Sequence, residues 1–166
     1  MDVFVSRPTW VAAEFEAGLA AFLRVLRSLD LTPRTLGATD YPSKAPLDEV
    51  IALMGKCAGA VILGYPQLVV ETGHLKGVPI NQALELPTEW NHIEAGLAYA
   101  RELPLLVIHH RGVRRGIFDR GATNEEKRMV CRVFSANTFA EVVLLLQFIV
   151  GTHIVVPRDS RRALPI

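Results

Sequence analysis

Two stretches of this chain are apolar at nearly every position and then stop: Gly59-Ala60-Val61-Ile62-Leu63-Gly64 and Pro104-Leu105-Leu106-Val107-Ile108-His109. A strand with one wet face alternates apolar and polar residues; a short run without alternation reads as buried on both faces. Burial on both faces needs a layer above and a layer below. Segments with helical spacing lie between the apolar runs, so those layers are helices and the sheet they cover is parallel.

Taken in order, Val3-Phe4-Val5 opens the chain as a buried strand and ends in the turn Ser6-Arg7-Pro8-Thr9-Trp10. From Val11 to Leu29, Phe15, Leu19, Phe22, Leu23 and Leu26 recur at helical spacing, with Thr9 a candidate cap. Leu31 to Leu36 is a weaker strand, followed by turn formers from Gly37 to Pro46. Pro46 suits an early helical position, and Leu47, Ile51 and Met54 then fall on one side of a helix. The run at 59–64 is the next strand. Tyr65 to Leu86, with Gly73, Gly77 and two prolines, shows no clear period; connections of this length are often functional. A helix to about Glu102, the strand at 104–109, a polar loop from Arg111 to Glu126, a strand from Met129 to Phe134 and a helix from Phe139 to Val150 complete the alternation. The expectation is one α/β domain over 1–150 with a central parallel sheet of about five strands, and an Arg-rich tail over 151–166.

Composition narrows the function. Half of the 166 residues are hydrophobic, enough for a substantial single core. Eighteen basic against 17 acidic residues leave a net charge of +1, in which nothing suggests an electrostatic nucleic-acid binder, and no direct nucleic-acid binding is expected. Cys57 and Cys131 have no metal-ligand spacing, and a reduced, cytoplasmic setting is the simplest expectation. The start lacks the basic and apolar regions of a signal peptide. The longest apolar run, Val142 to Val150, is broken by Gln147 and is too short to span a bilayer. No membrane partner is expected.

The helix beginning at Thr88 carries the candidate chemistry. Thr88 is the N-cap and Glu89 sits in the first turn, where a negative charge suits the helix dipole. Ile93, Leu97 and Ala100 form the expected core stripe. Trp90 and Glu94, four apart, share a bordering face and place a carboxylate beside an aromatic wall. Parallel α/β sheets bind ligands beyond the carboxyl ends of their strands. That rule gathers Ser6 to Trp10, Gly37 to Tyr41, Gly64-Tyr65, the start of the Glu94 helix and His109 to Arg111 at one rim. Trp10, Tyr41, Tyr65 and Trp90 suit stacking on a base. Ser6 and Arg7 suit a phosphate, and Asp40 suits a hydroxyl. Each also has a plainer role: packing for the aromatics, capping for Ser6, a turn for Asp40, a solvated face for Glu94. His109-His110-Arg111 lacks the further spacing that a metal site needs. The sharper chemical reading is cleavage of an N-glycosidic bond, which builds positive charge on ribose that a fixed carboxylate stabilises. Nicotinamide leaves NAD as a neutral molecule, so one carboxylate suffices.

Trp90-Asn91-His92-Ile93-Glu94 resembles the Trp-Cys-x-x-Glu element of Toll/interleukin-1 receptor (TIR) domains, with Asn91 in place of Cys. Glu94-Ala95-Gly96-Leu97-Ala98 resembles the Glu-x-Gly-x-Ala element of nucleoside 2-deoxyribosyltransferases, and Val3-Phe4-Val5-Ser6 looks like the first strand and loop of a TIR domain. The resemblance implies a flavodoxin-like, three-layer α/β/α fold and a NAD-consuming domain of the bacterial anti-phage kind. By it Glu94 carries the catalytic Glu, and Phe4, Ser6 and Trp90 fall in the nucleotide pocket. It implies no cofactor, NAD being the substrate, and a homo-oligomer or an assembly with a partner defence protein. The Asp-x-Gly-Thr stretch of the deoxyribosyltransferases is missing, which argues against base exchange on deoxynucleosides. Three functions stay open: NAD cleavage to ADP-ribose or a cyclic isomer, a nucleoside or nucleotide N-glycosidase or transferase, and a non-enzymatic TIR-like adaptor or nucleotide-signal module.

Overall fold

The structure, a computed structural model, describes residues 1–41, 43, 45–119, 122 and 128–132. The helix expected at Phe139 to Val150, the tail, and the end of the expected 1–150 domain lie outside the described residues.

Five strands form one parallel sheet: β1 (Asp2–Ser6), β2 (Thr32–Arg34), β3 (Ala60–Gly64), β8 (Leu105–His109) and β9 (Arg128–Arg132), in the order β2-β1-β3-β8-β9. Among these five strands that is the order 2-1-3-4-5 of flavodoxin-like folds. Among the described residues three helices belong to it: α1 (Ala13–Ser28), α2 (Pro46–Met54) and α3 (Glu89–Ala100). The side-chain period of two sorts the core into layers. Val3, Val5, Val61, Leu63, Leu106 and Ile108 pack on Leu19, Phe22 and Leu26 of α1. Phe4, Ala60, Ile62, Leu105 and Val107 pack on Val50, Leu53 and Met54 of α2 and on Ala95 and Ala98 of α3. Both faces are dry, as the unalternating apolar runs require.

Three local expectations differ. Thr9 caps nothing: the N-cap of α1 is Ala12, without a side-chain bond, because the helix starts later than the turn suggests. In α2, Pro46 does occupy the first turn, but Val50, Leu53 and Met54 form the buried face and Leu47 is exposed. The side that meets the sheet outranks the apolar repeat. In α3, Thr88 accepts the Asn91 N–H at 3.2 Å, as a cap should. Its buried face, however, is Asn91, Glu94, Ala95 and Ala98, while Ile93 is 44% exposed. Small residues let α3 lie close over the sheet, and a larger apolar stripe would hold it away.

Between β3 and α3 the chain forms two short antiparallel ribbons. β4 (Leu68–Val70) pairs with β7 (Leu84–Leu86), and β5 (His74–Leu75) pairs with β6 (Val78–Pro79). Lys76 and Gly77 make the tip, both at positive φ (51° and 79°), as a two-residue hairpin turn of the mirror type demands. Glu85 anchors the ribbon: it bridges to Val113 and its Oε2 accepts from His110 Nδ1 at 2.6 Å. Gly112 permits this, because a Cβ there would collide with the Glu85 carboxylate. Among the described residues no helix is long and apolar enough to cross a membrane.

The α3 face is directly testable. Ile93→Ser should change stability by under about 0.5 kcal/mol, whereas Ala98→Leu should cost about 1–3 kcal/mol by overpacking. Urea unfolding of the two variants measures both, and the opposite ranking would put the core on the wrong side of α3.

Candidate active site

The parity that builds the core also builds the site. Ser6, Gly64 and His109 end β1, β3 and β8, and each falls in the alternation that faces α3. Helix α3 brings Asn91 and Glu94, three apart and therefore on one side, down onto that strand end. Asn91 is 1% exposed and its Nδ2 donates to Ser6 Oγ at 2.7 Å. The Ser6 hydroxyl, already an acceptor there, keeps its own hydrogen for the Glu94 carboxylate, whose ionised form it favours. Asn91 Oδ1 is buried without a hydrogen-bond partner among the described residues.

Glu94 is 8% exposed. Burial, which penalises the charged form, raises its pKa from 4.5 to about 7; the Ser6 hydroxyl pulls the other way and loses. At neutral pH the group therefore sits near half ionisation. A carboxyl poised there takes up or releases a proton readily and, when ionised, acts through a poorly screened field.

Phe118 covers the neighbouring strand end. A Cβ on Gly64 would lie 2.5 Å from its Cε1, so Gly64 is the glycine that makes room for a ring. Phe118 meets His92 edge-on at 5.3 Å and His109 at 5.5 Å. His109 Nδ1 donates to the His110 carbonyl at 2.9 Å, and His92 is driven toward its neutral form chiefly by burial. Among the described residues no group of three His, Cys, Asp or Glu side chains is arranged to hold a metal ion.

The structure thus brings Ser6 and Glu94 together and distributes the other candidates. Phe4 lies fully in the core beneath the site. Trp90, in the first turn of α3, is 41% exposed. The aromatics do not meet in one cleft. Tyr65 packs on Phe15 of α1 at 5.3 Å, on the opposite side of the sheet, and burial raises its pKa. Trp10 is exposed beside Arg7, Thr9, Leu19 and Leu23, in a concavity of about 310 Å³ on that same α1 side. Tyr41 is exposed at the sheet edge. Its neighbour Asp40 is clasped by Arg34, whose Nε donates to Oδ2 at 2.9 Å and whose Nη2 meets Oδ1. That contact holds the Asp40 carboxyl below its usual range. Arg7 is half-buried just past β1. Sequence reasoning missed Asn91 and Phe118. The three-residue step from Asn91 to Glu94 was the available signal for the first; no local pattern marks the second.

No protein-family model matches this chain, and no curated protein does. Among solved structures, the CMP N-glycosidase BcmB of Clostridium botulinum superposes with a TM-score of 0.53 at 10% identity, over 86% of this chain and 98% of that one. At that identity the likeness establishes the fold, in agreement with the strand order.

The shifted carboxyl predicts how stability varies with pH. The folded-state pKa is raised, so the contribution of Glu94 is fully present below about pH 4.5 and is lost as pH rises through about 7. The loss is on the order of 3 kcal/mol. Glu94→Gln should flatten that fall and be the more stable protein at alkaline pH, while Ser6→Ala should move its midpoint upward. Denaturant unfolding from about pH 4 to about pH 9 reads both; a wild-type profile unchanged by Glu94→Gln would place the carboxyl in water.

Proposed function

We propose that this chain cleaves the N-glycosidic bond between a base and ribose in a nucleotide, with Glu94 as the carboxylate that meets the ribose. The observation that carries the reading is a nearly buried, pKa-shifted Glu94 bonded by Ser6, which Asn91 in turn holds, at the carboxyl end of the central strands. As the C–N bond breaks, its electron pair leaves with the base and ribose becomes a cation. Ionised Glu94 stabilises that charge, and the low exposure of the site strengthens the attraction. Water then adds to the ribose carbon and gives up a proton.

NAD is the substrate that the TIR-like element at Trp90 to Glu94 favours, because nicotinamide departs as a neutral molecule and needs no general acid. The reaction yields nicotinamide with ADP-ribose or a cyclic isomer, in a self-associating or partner-bound immune effector or signal generator. A nucleoside 5′-monophosphate is the second reading. It is favoured by the structural neighbour, itself a CMP N-glycosidase. A departing cytosine carries negative charge unless it is protonated, so that reaction needs a proton donor and NAD cleavage does not.

Free base released from NAD and from CMP, followed by chromatography, tests the reading. Glu94→Gln should lower the rate about 10²–10³-fold, with Glu89→Gln, exposed in the first turn of α3, retaining activity. In the wild type kcat/KM should rise with pH through about 7 as Glu94 ionises. Full turnover by Glu94→Gln would place the chemistry elsewhere. Because Trp90 is partly exposed, Trp90→Ala should change stability by less than about 1 kcal/mol while raising KM; a large drop in Tm with unchanged KM would make it a packing residue.

A further inference from the structure

Arg111, Arg114 and Arg115 stand within five residues, in the loop that leaves the carboxyl end of β8. Among the described residues none of the three is in an ion pair. Acidic groups lie close by but are used otherwise. Glu85 accepts from His110, and Asp119 Oδ1 accepts the backbone N–H of Arg115 at 2.8 Å. Among the described residues the one side-chain bond of the three is long, Arg114 Nε to the Arg111 carbonyl at 3.5 Å. In a chain of net charge +1, three cations this close together without an ion pair among the described residues stand out from the composition.

The loop is also held. Val113 is fully buried and its N–H donates to the His110 carbonyl at 3.0 Å, while Phe118 anchors the far end against Gly64 and His92. Glu85 lies packed against Gly112. Arg115 has φ 93° and ψ 151°, a backbone region otherwise kept to glycine. The fold imposes that conformation on an arginine, where glycine would adopt it without strain. Strained residues of this kind cluster at sites that bind ligands. The position agrees: β8 adjoins β3, β3 adjoins the β1 strand that ends in Ser6, and ligands of parallel sheets bind beyond these ends.

We propose that the loop from Arg111 to Arg115 is an anion subsite that takes the phosphate of the nucleotide handled at Glu94. The identity of the nucleotide rests on the N-glycosidase reading; the binding of phosphate does not. Guanidinium groups pair with phosphate oxygens in bidentate fashion and keep their charge at all relevant pH. The site then selects phosphorylated ligands over the corresponding nucleosides. A monophosphate and a pyrophosphate offer the same chemistry, so both are probes.

The experiment uses the full chain carrying Glu94→Gln, in which turnover is slowed about 10²–10³-fold so that binding can be read. Affinities are measured for CMP against cytidine, for NAD against nicotinamide riboside, and for inorganic pyrophosphate, each at two salt concentrations. Adding Arg111→Gln with Arg114→Gln should weaken CMP or NAD, and pyrophosphate, by about tenfold or more, the size of a charge-assisted contact. It should also reduce their salt dependence and leave the nucleosides unaffected. Arg115→Gly removes the third guanidinium in a residue that suits its φ; it should melt no lower than the parent and still lose phosphate affinity. Equal affinity for phosphorylated and unphosphorylated partners, unchanged affinity in both variants, or no binding of any phosphorylated probe overturns the proposal. If the wild type releases base from neither CMP nor NAD while the variants lose pyrophosphate, the N-glycosidase reading fails and the subsite stands. Base release with an unchanged KM in the loop variants gives the reverse.

Discussion

The parallel pairing of β1 with β3 is the contact on which the rest of this molecule depends. At that pair the chain changes direction across the sheet: β2 lies on one side of β1 and β3 on the other. The helices that follow part company there, α1 covering one face and α2 the other. In open parallel sheets it is at such a parting of helices that ligands bind. The register, Phe4 to Ala60 and Ser6 to Ile62, places the last residue of β1 under α3. A slip of one residue would turn Ser6 to the α1 face. Asn91 and Glu94 would then be buried without their partner.

Glu94 makes that dependence costly. A carboxyl group with little access to water resists ionisation, and one hydroxyl with one amide behind it does not fully offset the loss of solvent. In the proposed reaction the missing counter-charge arrives with the substrate. A ribose becoming cationic lowers the carboxyl pKa as it forms, so the electrostatic gain is largest at the transition state. A solvated carboxylate would spend the same interaction on water.

The sheet was legible in the sequence because a strand buried on both faces leaves an unbroken apolar run, and β3 and β8 have one each. The cap of α3 was legible because Thr88 acts through its own local backbone. The buried face of α3 was not. Apolar periodicity selects Ile93, but the side that fits closely over the sheet is made of alanines and of two polar residues, Asn91 and Glu94, whose partner Ser6 lies 85 residues before the first of them. The ribbon from β4 to β7 was hidden for other reasons. Its strands are two or three residues long and largely exposed, and its tip uses Lys76 at positive φ where Asn or Asp would have announced the turn. For the candidate site, Ser6 and Glu94 were identified singly, while the apparent gathering of aromatics treated strand ends as one rim without regard to face.

Arg34 does more than hold Asp40. It ends β2, the outermost of the described strands on that side of the sheet, and also pairs with Asp2 at the start of β1. β2 is only three residues long, and its middle residue is Pro33, which has no N–H to offer a further strand. A short edge with a proline and a clasped charge is a poor template for another backbone. This border of the sheet is therefore closed to extension. Copies of the chain cannot join into a continuous sheet through it, so any assembly they form on this side must be made by side chains.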